Sequence, residues 1–288
     1  MKLTDLFRDG RFAITSEVAP PKGTHTAEML DHAEMLKSRV SAINITDQQS
    51  SVMRLGSLAA SQILKARGIE PVFQMTCRDR NRIALQSDLL SAWALGIENV
   101  LCLTGDHVAL GDFPDAKPVF DLDSVSLLAV ATGLGEGHDM GGNALEGKPD
   151  FCLGAVVTPG ADPIELQLIK MEKKIAAGAQ FFQTQAVFDA EAFARFMEQA
   201  KPLGAPVMAG IILLKSPGMA RFMNKNVAGV HVPDSLIDEM AKAEDRPRQS
   251  VEIAARLIRE IKEICEGVHI MPLGWEAHVP AVLDEAGV

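Results

Sequence analysis

The sequence predicts an α/β fold, a single (β/α)8 TIM barrel occupying residues 1–288. Short apolar segments alternate with helical patterns eight times along the chain. Strands of that kind, separated by helices, pair in parallel with both faces covered. Eight units suit a closed barrel. The alternative, an open doubly wound sheet, normally places a glycine fingerprint directly after its first strand. Here that position holds Glu17-Val18-Ala19-Pro20-Pro21.

The elements follow in order. Phe12–Val18 reads as a strand stopped by Pro20-Pro21, which cannot continue a ladder. Thr26–Lys37 carries a helical apolar face, Ala42–Thr46 is strand-like, and Met53–Ala66 is a helix closed by Gly68. Pro71–Thr76 is a strand, Arg80–Leu95 a helix ended by Gly96, and Asn99–Thr104 a strand ended by Gly105-Asp106. Residues 105–149 form an unusually long connection, read as excursions of one domain, with a helix over Ser124–Ala131 that runs into glycines. The alternation resumes with strand Phe151–Thr158, helix Pro163–Ala177, strand Phe181–Gln185 and helix Ala190–Ala200. It finishes with strand Pro206–Leu213, helices Gly218–Asn226 and Ser250–Cys265, strand Val268–Met271 and a helical segment over Trp275–Ala286.

Composition narrows the function. The net charge of −10, without a basic run, gives no reason to bind nucleic acid or an anionic membrane. A hydrophobic fraction of 47% excludes global disorder. No uninterrupted apolar stretch approaches the ~18 residues of a membrane span, and MKLTDLFRDGRF lacks a signal-peptide core, so a cytoplasmic protein is expected. Cys77, Cys102, Cys152 and Cys265 are far apart, which excludes a sequence-local zinc or iron–sulfur site and reads as buried thiols in a reducing compartment. The seven histidines show no metal-ligand spacing, so no metal is expected in the chain, and there is no tyrosine at all.

Barrel chemistry gathers at the C-terminal ends of strands. Those ends here carry Glu17, Asp47, Thr76, Asp106, Thr158, Gln183 and Gln185. Glu17 follows an apolar strand and precedes two prolines; a carboxylic acid held in an apolar mouth keeps its proton-donating form and suits general-acid work. A solvent-facing acid is the plainer reading. Asp106 after Gly105 could hydrogen-bond an N–H-rich heterocycle or merely cap a turn. Gln183 and Gln185 offer amides for an amide-like ring edge, or simply end a strand. His107 is a candidate ligand contact beside Asp106. Lys174 lies close enough to the next strand to reach a phosphate, against the alternative of a solvated charge run.

Five segments in this order and spacing, S-E-V-A-P-P-K (Ser16–Lys22), P-V-F-Q-M-T-C-R-D-R (Pro71–Arg80), N-V-L-C-L-T-G-D (Asn99–Asp106), K-K-I-A-A-G-A-Q-F-F-Q-T-Q-A-V-F-D (Lys173–Asp189) and A-G-I-I-L-L (Ala209–Leu214), resemble the methylenetetrahydrofolate reductase family. The resemblance covers about residues 10 to 275. The L-T-G-D-H variant, Lys117–Val125 and the H-I-M-P-L-G-W-E ending (His269–Glu276) look like the short bacterial form of acetogens and related anaerobes. That form implies an iron–sulfur partner subunit, sometimes with zinc, that supplies electrons.

The resemblance implies a flavin-bearing barrel in which reduced flavin passes a hydride from N5 to 5,10-methylenetetrahydrofolate, giving 5-methyltetrahydrofolate. Glu17 matches the family's acid and Asp106 the aspartate between flavin and pterin. Gln185, with Gln183, matches the folate contact, Thr76 a flavin neighbour, and Lys174 a residue near the phosphate or ribityl chain. The implied cofactor contacts are Thr46, Asp47, Thr76, Thr104, Gly105, Asp106, His107 and Lys174. Thr104 replaces the usual arginine, Phe120 a tyrosine and Gln167 an acidic residue, all on groups that hold the adenosine half of FAD. The expected cofactor is therefore FAD by family habit, with FMN sufficient. Lys215-Ser216-Pro217-Gly218 stands where the nicotinamide-stacking loop would be. A flavin-carrying electron-transfer subunit, a flavin-free folate-binding methyltransferase barrel and a homo-oligomer remain open.

Overall fold

Residues 1–288 are described by a computed structural model. The strands β1 (Ala13–Val18), β2 (Ala42–Ile45), β3 (Pro71–Thr76), β4 (Asn99–Leu103), β5 (Cys152–Val157), β6 (Phe181–Ala186), β7 (Val207–Ile212) and β8 (Gly267–Met271) pair in parallel in sequence order. β1 closes on β8 through Thr15 opposite His269, which sets the open sheet aside. Helix α1 (Leu3–Arg8) precedes the barrel. Helices α2 (Ala27–Leu36), α3 (Ser57–Lys65), α4 (Arg82–Ala94), α5 (Ser124–Glu136), α6 (Glu165–Ala176) and α7 (Ala190–Ala200) follow the first six strands. Between β7 and β8 lie α8 (Pro217–Asn226), α9 (Asp234–Lys242) and α10 (Arg246–Ile261), and α11 (Val279–Ala286) ends the chain. No helix is long and apolar enough to cross a membrane.

Strand residues alternate between the helical shell and the barrel interior. Facing outward, Ile43, Ile45, Phe73 and Met75 join the helices in one large core. Facing inward at the N-terminal end, Ala13, Val72, Leu101, Phe181 and Met208 make an apolar layer that Leu3 and Leu6 of α1 plug from below. Gly154 gives room to this layer: a Cβ there would sit 2.3 Å from the Phe181 ring. The plug is fixed by Leu3 N donating to Asn99 Oδ1 at 2.8 Å.

The elements differ from the sequence reading at several helices, and α3 starts at Ser57 rather than Met53. α1 and α9 were not expected. α5 runs through Gly133 and Gly135 to Glu136, because its buried face of Leu127, Leu128, Ala131 and Leu134 outweighs the helix cost of two glycines, about 1 kcal/mol each. α10 begins at Arg246 rather than Ser250, since Asp245 caps it by accepting from Arg248 N, with a proline in its first turn.

Candidate active site

Above the apolar layer the barrel interior turns polar. Asn44 Nδ2 donates to Gln183 Oε1 at 2.8 Å, and Gln183 Nε2 lies 3.2 Å from Thr15 Oγ1. Thr15 Oγ1 shares a hydrogen bond of 3.0 Å with His269 Nδ1. Two residues further up β1, Glu17 shares the inner face with Thr15. Its Oε2 lies 3.7 Å from His269 Nε2, and its Oε1 accepts from Gln49 Nε2 at 3.2 Å. Glu17 is 8% exposed and forms part of the wall of a cavity of about 530 Å3 with Pro20, Pro21, Arg54, Leu273 and Glu276. The apolar mouth expected around Glu17 is not what the fold builds: an amide and an imidazole stand against its carboxylate.

The β2–β3 side of the mouth is braced by Asp47. Its Oδ2 accepts from Thr76 N, Thr76 Oγ1 and Arg80 Nη1 at 2.7–2.9 Å, and its Oδ1 from Ser57 Oγ and Arg80 Nη2. Burial alone would raise the Asp47 pKa, but the Arg80 guanidinium and the Thr76 donors outweigh it and hold the carboxyl below the usual range. Asp47 and Thr76 therefore spend their polar side-chain atoms on each other and on the wall. Next to them, Thr46 Oγ1 is buried without a partner.

The β4 rim carries Thr104, Gly105, Asp106 and His107. Thr104 Oγ1 accepts from Ser124 N at the start of α5. Gly105 takes φ +91°, and a Cβ there would press on Thr76 at 3.0 Å, so glycine is required. Asp106 and His107 are exposed, and the His107 ring stacks on Phe120 with centroids 6.3 Å apart. Arg78, only 2% exposed, reaches across to the carbonyls of Gln48 and Asp106 while its guanidinium pairs with Asp79. Five non-glycine residues have left-handed φ, namely Gln48, Ser50, Ser51, Phe120 and Leu273. All five lie on loops that leave the C-terminal ends of strands, where stored strain marks functional sites.

The remaining predicted residues spread out. Gln185 is exposed at the end of β6, whereas Gln183 sits one layer down with its amide engaged inside the barrel. Lys174 is buried on α6 and donates to the Val156 carbonyl at 2.6 Å; burial, with the Lys170 charge, pushes it down to about 8. The structure thus brings Glu17 into the mouth, places Thr46, Thr76 and the residue 104–107 rim beside it, and leaves Lys174 behind the wall.

A family model described as methylenetetrahydrofolate reductase matches residues 2–287. The chain belongs to the methylenetetrahydrofolate reductase family. The 5,10-methylenetetrahydrofolate reductase of Pectobacterium carotovorum subsp. carotovorum is 28% identical over 205 residues, covering 69% of this chain and 62% of that protein. Methylenetetrahydrofolate reductase 2 of Schizosaccharomyces pombe is 26% identical over 325 residues, covering 100% of this chain and 48% of that protein. The chain spans between 34% and 62% of the length of the first curated relatives that it matches. Among solved structures, a Clostridium thermocellum protein that binds two copies of 5-methyl-5,6,7,8-tetrahydrofolic acid superposes with TM-score 0.70 at 17% identity, over 99% of this chain and 97% of that one. At that identity the likeness shows the fold.

Sequence reasoning missed Gln49, Arg78, Arg80 and His269 in this member of the methylenetetrahydrofolate reductase family. His269 had one usable signal: it shares inward strand parity with the β1 residues, but only once β1 and β8 are known to be neighbours. Gln49 had none, because its role depends on a turn whose left-handed residues are not glycines.

Proposed function

We propose that this chain reduces 5,10-methylenetetrahydrofolate to 5-methyltetrahydrofolate with a bound flavin, using Glu17 as the general acid. The observation that carries this reading is Glu17 itself. It is a nine-tenths-buried carboxyl on the wall of a mouth cavity, oriented by Gln49 and His269, in a chain of this family. The residues present fit a flavin. Thr46 offers a buried hydroxyl without a partner at the end of β2, and Gly105 keeps the end of β4 free of a side chain. Thr46, Gly105 and Asp106 would hold the ring system, while Thr76 stays with the Asp47 brace and Lys174 with the Val156 carbonyl. When bound, the flavin supplies the hydride from N5.

The chain's own contribution is proton placement and charge. The imidazolidine of the substrate is a poor hydride acceptor until a ring nitrogen is protonated and the ring opens to a cation. Glu17 gives that proton, which stays on the product amine. The exposed Asp106 carboxylate on the opposite rim favours the cation by charge. Thr104, Phe120 and Gln167 replace the groups that would hold an adenosine, so FMN suffices in this reading. Four free, buried cysteines agree with a reducing cytoplasm.

The test is an absorbance spectrum of the purified protein, followed by anaerobic reduction and addition of methylenetetrahydrofolate. A flavin that is bleached and then reoxidised by the folate, with an extracted mass of FMN, is the expected result. Bleaching by NADH alone makes the chain self-sufficient; bleaching only by dithionite assigns electron delivery to a partner subunit. A colourless protein, or a reduced flavin that the folate does not reoxidise, overturns the reading.

A further inference from the structure

The turn after β2 touches both sides of the mouth. Gln48, Ser50 and Ser51 have φ of 50°, 55° and 58°, left-handed conformations that cost non-glycine residues of order 1–3 kcal/mol each. The turn nevertheless holds its shape through four sets of contacts. Gln48 Oε1 accepts from Arg54 N at 2.7 Å and Gln48 Nε2 donates to Arg54 O at 3.1 Å, which closes the loop on itself. Arg78 Nη2 donates to the Gln48 carbonyl at 3.3 Å. Ser51 Oγ lies 3.1 Å from the carbonyls of both Asp106 and His107. Gly111 lets the β4 rim approach, since a Cβ there would lie 1.8 Å from the Ser51 carbonyl. From this braced base Gln49 points the other way, to Glu17 Oε1.

We infer that the Gln48–Ser51 turn is a positioning strap in which Gln49 orients the Glu17 carboxyl while Ser51 orients the Asp106–His107 rim. One strained turn thereby fixes the proton donor relative to the opposite wall. The inference rests on the proposed role of Glu17. Gln49 does not touch the reacting atoms; it acts through Glu17. A rigid backbone base matters because misplacing a catalytic group by about 1 Å can cost about a hundredfold in rate. His269 on β8 faces that carboxyl, and the other ionisable groups lining the same cavity are Glu28 and His32 on α2, Lys22 and Arg54 on the β1 and β2 loops, and Glu276 after β8.

Gln49 is exposed, so truncating it opens no cavity. The experiment compares wild type, Gln49→Ala, Gln49→Glu and Ser51→Ala. Its readouts are the pH profile of kcat/KM for methylenetetrahydrofolate and the 13C-carboxyl NMR titration of Glu17, assigned by difference with Glu17→Gln. Gln49→Ala is expected to lower kcat about 10- to 100-fold with KM changed less than about threefold. Its pH profile and its NMR titration should both differ from those of the wild type, and more so in Gln49→Glu, which sets a second carboxyl against Glu17. Ser51→Ala is expected to raise KM and leave the NMR titration in place. A Gln49→Ala protein with wild-type pH profile and wild-type titration overturns the strap. A wild-type protein without folate turnover overturns the reading of the site instead, while the NMR titration still decides whether Gln49 controls Glu17.

Discussion

The two ends of the barrel are built on opposite principles. The N-terminal end is an apolar layer of Ala13, Val72, Leu101, Phe181 and Met208 plugged by α1. None of its non-glycine residues has left-handed φ. The C-terminal mouth holds the buried carboxyls of Glu17 and Asp47, the unpartnered hydroxyl of Thr46 and all five left-handed non-glycine residues. The difference separates two jobs within one sheet: the bottom supplies stability with side chains that do no chemistry, and the mouth spends part of it on orientation.

Breaking the bottom should therefore cost stability and leave chemistry alone. Phe181→Ala is expected to destabilise the protein by about 4 kcal/mol in urea unfolding, with the kcat of the folded fraction unchanged. A drop in kcat without a loss of stability would dissolve the contrast. Asp47→Asn attacks the joint between wall and mouth. It leaves the half-buried Arg80 without its main partner and should cost about 3 kcal/mol. The same pair sets an acid limit. The Asp47 carboxyl is held lower in the folded protein than in the unfolded chain. Its contribution is thus complete above the ordinary aspartate range, near pH 4, and is lost as pH falls through the lower folded value. In an acid-unfolding series the wild type should lose its advantage over Asp47→Asn in that window.

Lys174→Met is the smallest effect and has the opposite sign. The Lys174 ammonium is pushed down to about 8, so below that pH the folded state carries a buried charge that the unfolded chain does not. Replacing it should stabilise the protein by about 2 kcal/mol at neutral pH, with the gain shrinking as pH rises from about 8 towards 10. If Lys174 serves the cofactor phosphate, the same variant should retain less flavin on dialysis. Higher stability with undiminished flavin would assign Lys174 to the wall alone.

The barrel was legible because alternation of short apolar strands and helices is a local signal repeated eight times. Helix α1 was not, since its six residues are too few for a helical period to show, and its role as a plug depends on a layer assembled from distant strands. The placement of Glu17 and Asp106 at the mouth was legible from their positions at strand ends beside prolines or a glycine. The Asp47 brace was not, because a carboxylate at a strand end looks the same whether it faces a ligand or a buried arginine. His269 meets Thr15 across 254 residues of sequence, so their contact exists only once the barrel closes. The turn of Gln48 and Ser51 carries no glycine to announce its conformation.

Glu17 is the proposed proton donor in a flavin-dependent folate reduction. The most direct test of that role is the single-turnover reoxidation of the reduced Glu17→Gln protein by methylenetetrahydrofolate, beside reduction of the same flavin by dithionite. Flavin reduction should be unchanged and folate-driven reoxidation slowed by about a thousandfold. Reoxidation at the wild-type rate would contradict that role.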